Sequence, residues 1–324
     1  MGPEISRGRQ MLYIFVMFMI VQFSGLLLAS MLFSGATFEQ VSSARVISST
    51  ENVVFYLFYI VIFAVILIFV ARIYRGNKLF VIFEGAVLFI TSFFVFLIVA
   101  AYFTGSVQSA FYGSSVYQDY LVAAVLAAAM VIAKNKIPSL RNTAAIIASV
   151  GVGVVLGVSF SFLAAMVFMI ILAVYDFVAV FITKHMITLA NAVTERNLAF
   201  FIGASEIEAL PRSSFSKADA KRFEKMKAMA EKKVPQIKEL DKKRLIPIEV
   251  PVMLGTGDLG VPLMVSVAAY GVTLNFTLSF FIVLGSIFGL AITMLILARL
   301  KRALPAIPPL LLGILIALGI YALL

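Results

Sequence analysis

Two carboxylates stand where carboxylates are costly. Asp176 lies in "AVYDFVAVF" and Asp258 in "LGTGDLGVP", each within an apolar run long enough to enter a bilayer. An ionisable side chain at that depth points to function, because hydrocarbon offers it no water. A basic neighbour could neutralise it, yet no Lys or Arg lies at comparable depth in any apolar run. Asp176 is eight residues before Lys184 and Asp258 nine after Glu249. On helical paths both would sit roughly 12–13 Å beneath one surface, at about 1.5 Å per residue. On consecutive antiparallel spans the two carboxyls can meet. Two such aspartates without a cation can share a proton, one ionised as general base toward water, the other protonated and polarising a carbonyl. That is the chemistry of an aspartic protease. Gly255 and Gly257, on either side of Thr256, lack a Cβ and permit non-helical backbone and close approach of a substrate chain to Asp258. Such backbone is tolerated at membrane depth only where it lines a cavity or is buried in protein.

The elements that must position these residues are membrane spans. The chain of 324 residues is 62% hydrophobic with a mean hydropathy of +1.08, far above the apolar share of a soluble domain. Runs at 11–34, 53–71, 79–103, 120–133, 143–158, 161–183, 250–271, 275–298 and 303–324 read as nine transmembrane helices. The uncharged stretch from Thr143 toward Asp176 is too long for one span and is divided at "VSFS" (158–161). Basic and non-basic connections alternate along the chain. This places the N-terminus in the cytoplasm and the C-terminus outside it, in an all-α, multi-pass protein of the cell membrane. The opening "MGPEISRGRQ" leads into a first span with no small-residue cleavage site after it. Residues 1–183 form a six-helix part, 184–249 a cytoplasmic loop with 14 Lys/Arg against 9 Asp/Glu, and 250–324 a three-helix part. Within the loop, Lys217 to Val234 reads as a basic amphipathic helix or a charged linker. Gly153 and Gly157, and Gly285 and Gly289, have the small-xxx-small spacing of helix-packing faces.

Other chemistries lack their residues. The chain has no Cys, and His185, its one His, adjoins Lys184 at a span boundary. A zinc protease motif of HExxH type is absent, and a serine protease of rhomboid type would need a GxSG-like nucleophile with an intramembrane His. No metal or cofactor is implied. The net charge of +10 is spread over clusters between apolar runs, which encode topology and do not suggest nucleic acid. Glu84 and Asp119 stand near span ends and are expected to reach an interface. Paired intramembrane acids also mark ion channels and proton-coupled transporters, the alternative reading.

Three short motifs carry a resemblance. "YD" (Tyr175, Asp176), "GTGD" (Gly255 to Asp258) and "LPAIPP" (Leu304 to Pro309) resemble the YD, GxGD and PAL motifs of the presenilin and signal-peptide-peptidase family, in order and in spans six, seven and nine. The resemblance covers the chain and, with the N-terminus inside, is closest to a prokaryotic, archaeal-type presenilin homologue. It implies intramembrane aspartyl proteolysis of transmembrane-helix substrates, with Asp176 and Asp258 as the catalytic dyad and no cofactor. It further implies that Tyr175, Gly255, Thr256, Gly257, Leu304, Pro305, Ala306 and Ile307 shape the site. Ile307 stands where the motif has Leu. The partners expected are protein substrates and the bilayer, with a homo-oligomer left open.

Overall fold

The computed structural model describes residues 3–34, 78–107, 117–182, 201–211, 245–300 and 304–324. Along the chain these form α1 (Pro3–Leu32), α2 (Lys78–Thr104), α3 (Tyr117–Lys136), α4 (Arg141–Ser159), α5 (Phe162–Phe177), β1 (Phe201–Pro211), β2 (Leu245–Gly255), α6 (Thr256–Thr273), α7 (Phe276–Leu300) and α8 (Ile307–Leu323). At Val178–Ile182, α5 passes into one wider turn of π-helix. Six of the helices contain stretches long and apolar enough to cross a membrane: Gly8–Leu32, Val81–Thr104, Tyr117–Lys136, Arg141–Ser159, Phe162–Phe181 and Phe276–Arg299. The apolar helix α8 is shorter. The expected span 53–71 and the expected basic helix from Lys217 lie outside the described residues.

Two compact units are present. Residues 1–16 and 203–254 make one, whose described parts are the start of α1 and most of the β1–β2 pair. Residues 17–202 and 255–324 make the other, with the remaining helices.

In this second unit α6 is the central helix. Every residue from Leu259 to Gly271 is buried, so no stripe of α6 faces outward. It packs on α4, α5 and α7, while α2 pairs with α3 and α4, and α8 with α5 and α7. The glycine spacings serve this packing, as expected. A Cβ at Gly157 would lie 2.5 Å from the Val267 Cβ, and one at Gly285 would lie 2.5 Å from the Gly313 carbonyl oxygen. Close approach of that kind matters in a bilayer, where dispersion contacts replace hydrophobic burial between helices.

Local signals explain the helix ends. The "VSFS" division occurs where expected: α4 ends at Ser159, and Ser161 caps α5 by accepting from the Ala164 N–H at 3.3 Å. Between α6 and α7, Leu274 takes a left-handed conformation (φ 50°), and the Asn275 side chain accepts from the Thr277 N–H at 3.2 Å.

Three expectations are corrected. The seventh span was placed from residue 250, but its helix begins at Thr256, after strand β2. Pro247 and Pro251 account for this, since each biases the preceding residue (Ile246, Val250) toward extended backbone. The helical path used to estimate the depth of Asp258 therefore does not exist. Glu84 does not face an interface: it is 1% exposed and pairs with the buried Lys134 at 2.5 Å, joining α2 to α3. Asp119 is also buried, and accepts hydrogen bonds from the hydroxyls of Thr104 (3.1 Å) and Ser106.

Candidate active site

Each aspartate serves the N-terminal end of a helix, Asp258 that of its own helix α6 and Asp176 that of α8. Gly255 is the N-cap of α6, with φ −65° and ψ 144°, and has no side chain to bond the free N–H groups of the first turn. Counting onward, Thr256 is N1, Gly257 N2 and Asp258 N3. N3 is the position from which an acidic side chain reaches back to the N-cap N–H, as in a capping box. The Asp258 carboxyl stands near the Gly255 backbone N–H.

Asp176 serves a different helix. It lies in the last turn of α5, buried at 5% exposure. Its Oδ2 accepts a hydrogen bond from the Ile307 N–H at 3.3 Å. The sequence of α8 explains why. Ala306 is the N-cap, and Pro308 and Pro309 follow Ile307. Proline suits the first turn because its missing N–H would be unpaired there anyway. Of the first three helical residues, Ile307 alone therefore offers an N–H, and Asp176 accepts it. A carboxylate at such a helix end also meets the positive end of the backbone dipole.

The two carboxyls are close enough to act on each other electrostatically. Elements far apart in sequence are brought together here: α5 packs on both α6 and α8. Pro305, Ala306 and Ile307 are buried and Leu304 is partly so, which sets the "LPAI" stretch against Asp176. Thr256 and Asp258 are partly exposed, and Gly257 is exposed, with nothing within 4 Å of where a Cβ would stand. Tyr175 is 42% exposed on the neighbouring face of α5. Asp258 thus lies beside the open space at Gly257.

Sequence reasoning missed the backbone donor of Ile307, which no residue type announces. It also passed over Gln22, an amide in the apolar run of α1 that reaches α6.

Comparison with known proteins now places the chain. The family model described as "Signal-peptide peptidase, presenilin aspartyl protease" matches residues 15–323. A search of curated proteins found no match. Among solved structures, the chain is similar to a presenilin family intramembrane aspartate protease in space group C222. The identity is 19% and the TM-score 0.58, with 97% of this chain and 98% of that one covered. A presenilin family protease in space group P2 is 21% identical, with a TM-score of 0.56 and 94% and 96% coverage. The chain belongs to the signal-peptide peptidase and presenilin family and is an intramembrane aspartyl protease.

Proposed function

We propose that Asp176 and Asp258 are the catalytic dyad, and that they hydrolyse peptide bonds within transmembrane segments of protein substrates. The observation that supports this most directly is the placement of the two carboxyls, Asp176 against the N-terminal end of α8 and Asp258 in the first turn of α6, within electrostatic reach of each other. In the working state the pair holds one proton. The ionised carboxyl removes a proton from water, whose oxygen attacks the scissile carbonyl carbon. The protonated carboxyl donates to the carbonyl oxygen, giving a tetrahedral diol. Proton return to the leaving nitrogen breaks the C–N bond and yields an amine and an acid.

The residues around the pair then have distinct tasks. Gly255, Thr256 and Gly257 leave room for the substrate backbone beside Asp258. Leu304, Pro305, Ala306 and Ile307 line the side of Asp176, with Tyr175 adjoining it. The finer topology belongs to this proposal too: nine spans in the cell membrane, N-terminus cytoplasmic and C-terminus extracytoplasmic, with a homo-oligomer as an admissible assembly.

The test is incubation of a single-span substrate with the full chain in detergent, beside Asp176→Asn and Asp258→Asn. Wild type should produce two fragments and each variant essentially none. The double variant should be no worse than either single, because the pair acts as a unit. Substantial cleavage by either single variant, free of other proteases, overturns the assignment.

A further inference from the structure

We infer that Gln22 is a positioning residue for Asp258, acting through the carbonyl of Leu259; the inference rests on the dyad reading above. Gln22 is fully buried in α1, and its Nε2 donates to the Leu259 carbonyl oxygen at 2.9 Å, across 237 residues of sequence. A carbonyl only accepts, so the amide must turn its NH2 toward α6. Its Oε1 is buried without a hydrogen-bond partner among the described residues, so the side chain is kept in the core at a cost.

The first turns of α6 need an outside restraint. In an unbroken helix the Asp258 carbonyl would accept from the N–H of residue 262. That residue is Pro262, which has no N–H and whose ring crowds the same carbonyl. The ladder is thus interrupted at the residue that carries the carboxyl. Gln22 binds the next carbonyl along. One turn further on each helix, α1 meets α6 again: a Cβ at Gly25 would lie 2.9 Å from the Leu263 Cγ, so the glycine admits that side chain. α1 therefore grips α6 at Leu259 and Leu263, four residues apart on one face. The hydrogen bond orients the turn, and the glycine contact sets its distance from α1.

Gln22→Met tests this, since Met keeps the length and apolar body of the side chain and removes the donor. Gln22→Leu is the second variant should the first not fold. Two readouts are taken on the full chain in detergent. Amide exchange of the peptide covering 258–264 should quicken while protection elsewhere in α6 and in α4 persists. In cleavage of a single-span substrate, kcat should fall about tenfold or more with KM within about twofold, as expected when a reacting group is displaced without loss of substrate binding. Unchanged exchange overturns the inference, as does a wild-type kcat. So does a parallel change of kcat and KM that merely tracks a lower unfolding temperature. Asp258→Asn, run alongside, separates the two claims. If that variant cleaves, the dyad reading fails, while the exchange measurement still reports whether Gln22 holds the turn.

Discussion

The backbone N–H of Ile307 points at the carboxylate of Asp176 from 3.3 Å, so the residue that opens α8 also orients one member of the proposed dyad. The side chain of residue 307 is incidental to that bond. Ile307→Leu should therefore cleave within about twofold of wild type, a volume-conserving exchange costing under about 1.5 kcal/mol. Ile307→Pro removes the N–H at a first helical position, where proline is tolerated, and also biases Ala306 away from its αR backbone (φ −88°, ψ −35°). Losing a hydrogen bond to a charged group, about 1.5–3 kcal/mol, should lower cleavage about tenfold or more. Steady-state cleavage by the two variants checks this; equal activities would remove the backbone donor from the mechanism.

Activity should rise and then fall with pH. Doubly protonated, the pair has no base for water; doubly ionised, it has no acid for the carbonyl. The two limbs belong to the coupled pair and not to either residue. A pH series of kcat in one detergent tests this, and a single sigmoid across the whole range would contradict a shared proton.

Gly257 offers a separation of fold from function. A Cβ there meets nothing within 4 Å, so Gly257→Val should leave the unfolding free energy within about 1 kcal/mol of wild type. The added methyls would occupy the approach to Asp258, and kcat/KM should drop roughly tenfold or more. Thermal unfolding and cleavage measured on one preparation decide it. A stable variant with full activity would show that substrate does not pass over Gly257.

The Glu84–Lys134 pair is buried on both sides, at 1% and 8% side-chain exposure. Lys134→Met removes the cation facing a buried carboxylate and should destabilise by about 3–5 kcal/mol, whereas Glu84→Gln with Lys134→Met should recover most of that loss. Thermal unfolding of the single and double variants tests the pairing. Equal losses in both would mean that the two charges do not depend on each other.

Much of this arrangement can be read from residue types, because it depends on composition and spacing. Apolar length locates helices; the uncharged "VSFS" break is capped by Ser161; and the glycine spacings coincide with tight helix crossings. The contact of Ile307 with Asp176 accords with what the presenilin resemblance implies for the "LPAIPP" motif. Other features depend on partners that spacing does not reveal. The burial of Glu84 is eased by Lys134, which α3 brings to it, and that is a tertiary fact. The strand before α6 was hidden by its apolar character, since a short apolar run serves helix and strand alike and only Pro247 and Pro251 argue between them. Gln22 drew no notice as an uncharged residue whose purpose lies 237 positions away.

Burial of thirteen successive residues makes α6 a stator: it cannot rotate or slide without disturbing α4, α5 and α7 together. With the first turn of α6 also held to α1 through Gln22, adjustment of the gap between the carboxyls falls to the side of Asp176. There the backbone departs from the α-helix, with the π-helical turn at Val178–Ile182 just beyond Asp176 and the non-helical residues 304–306 before α8. A ligand that draws the pair together would thus register as movement of α5 and α8 against a fixed axle, and labels for distance measurements belong on those two helices.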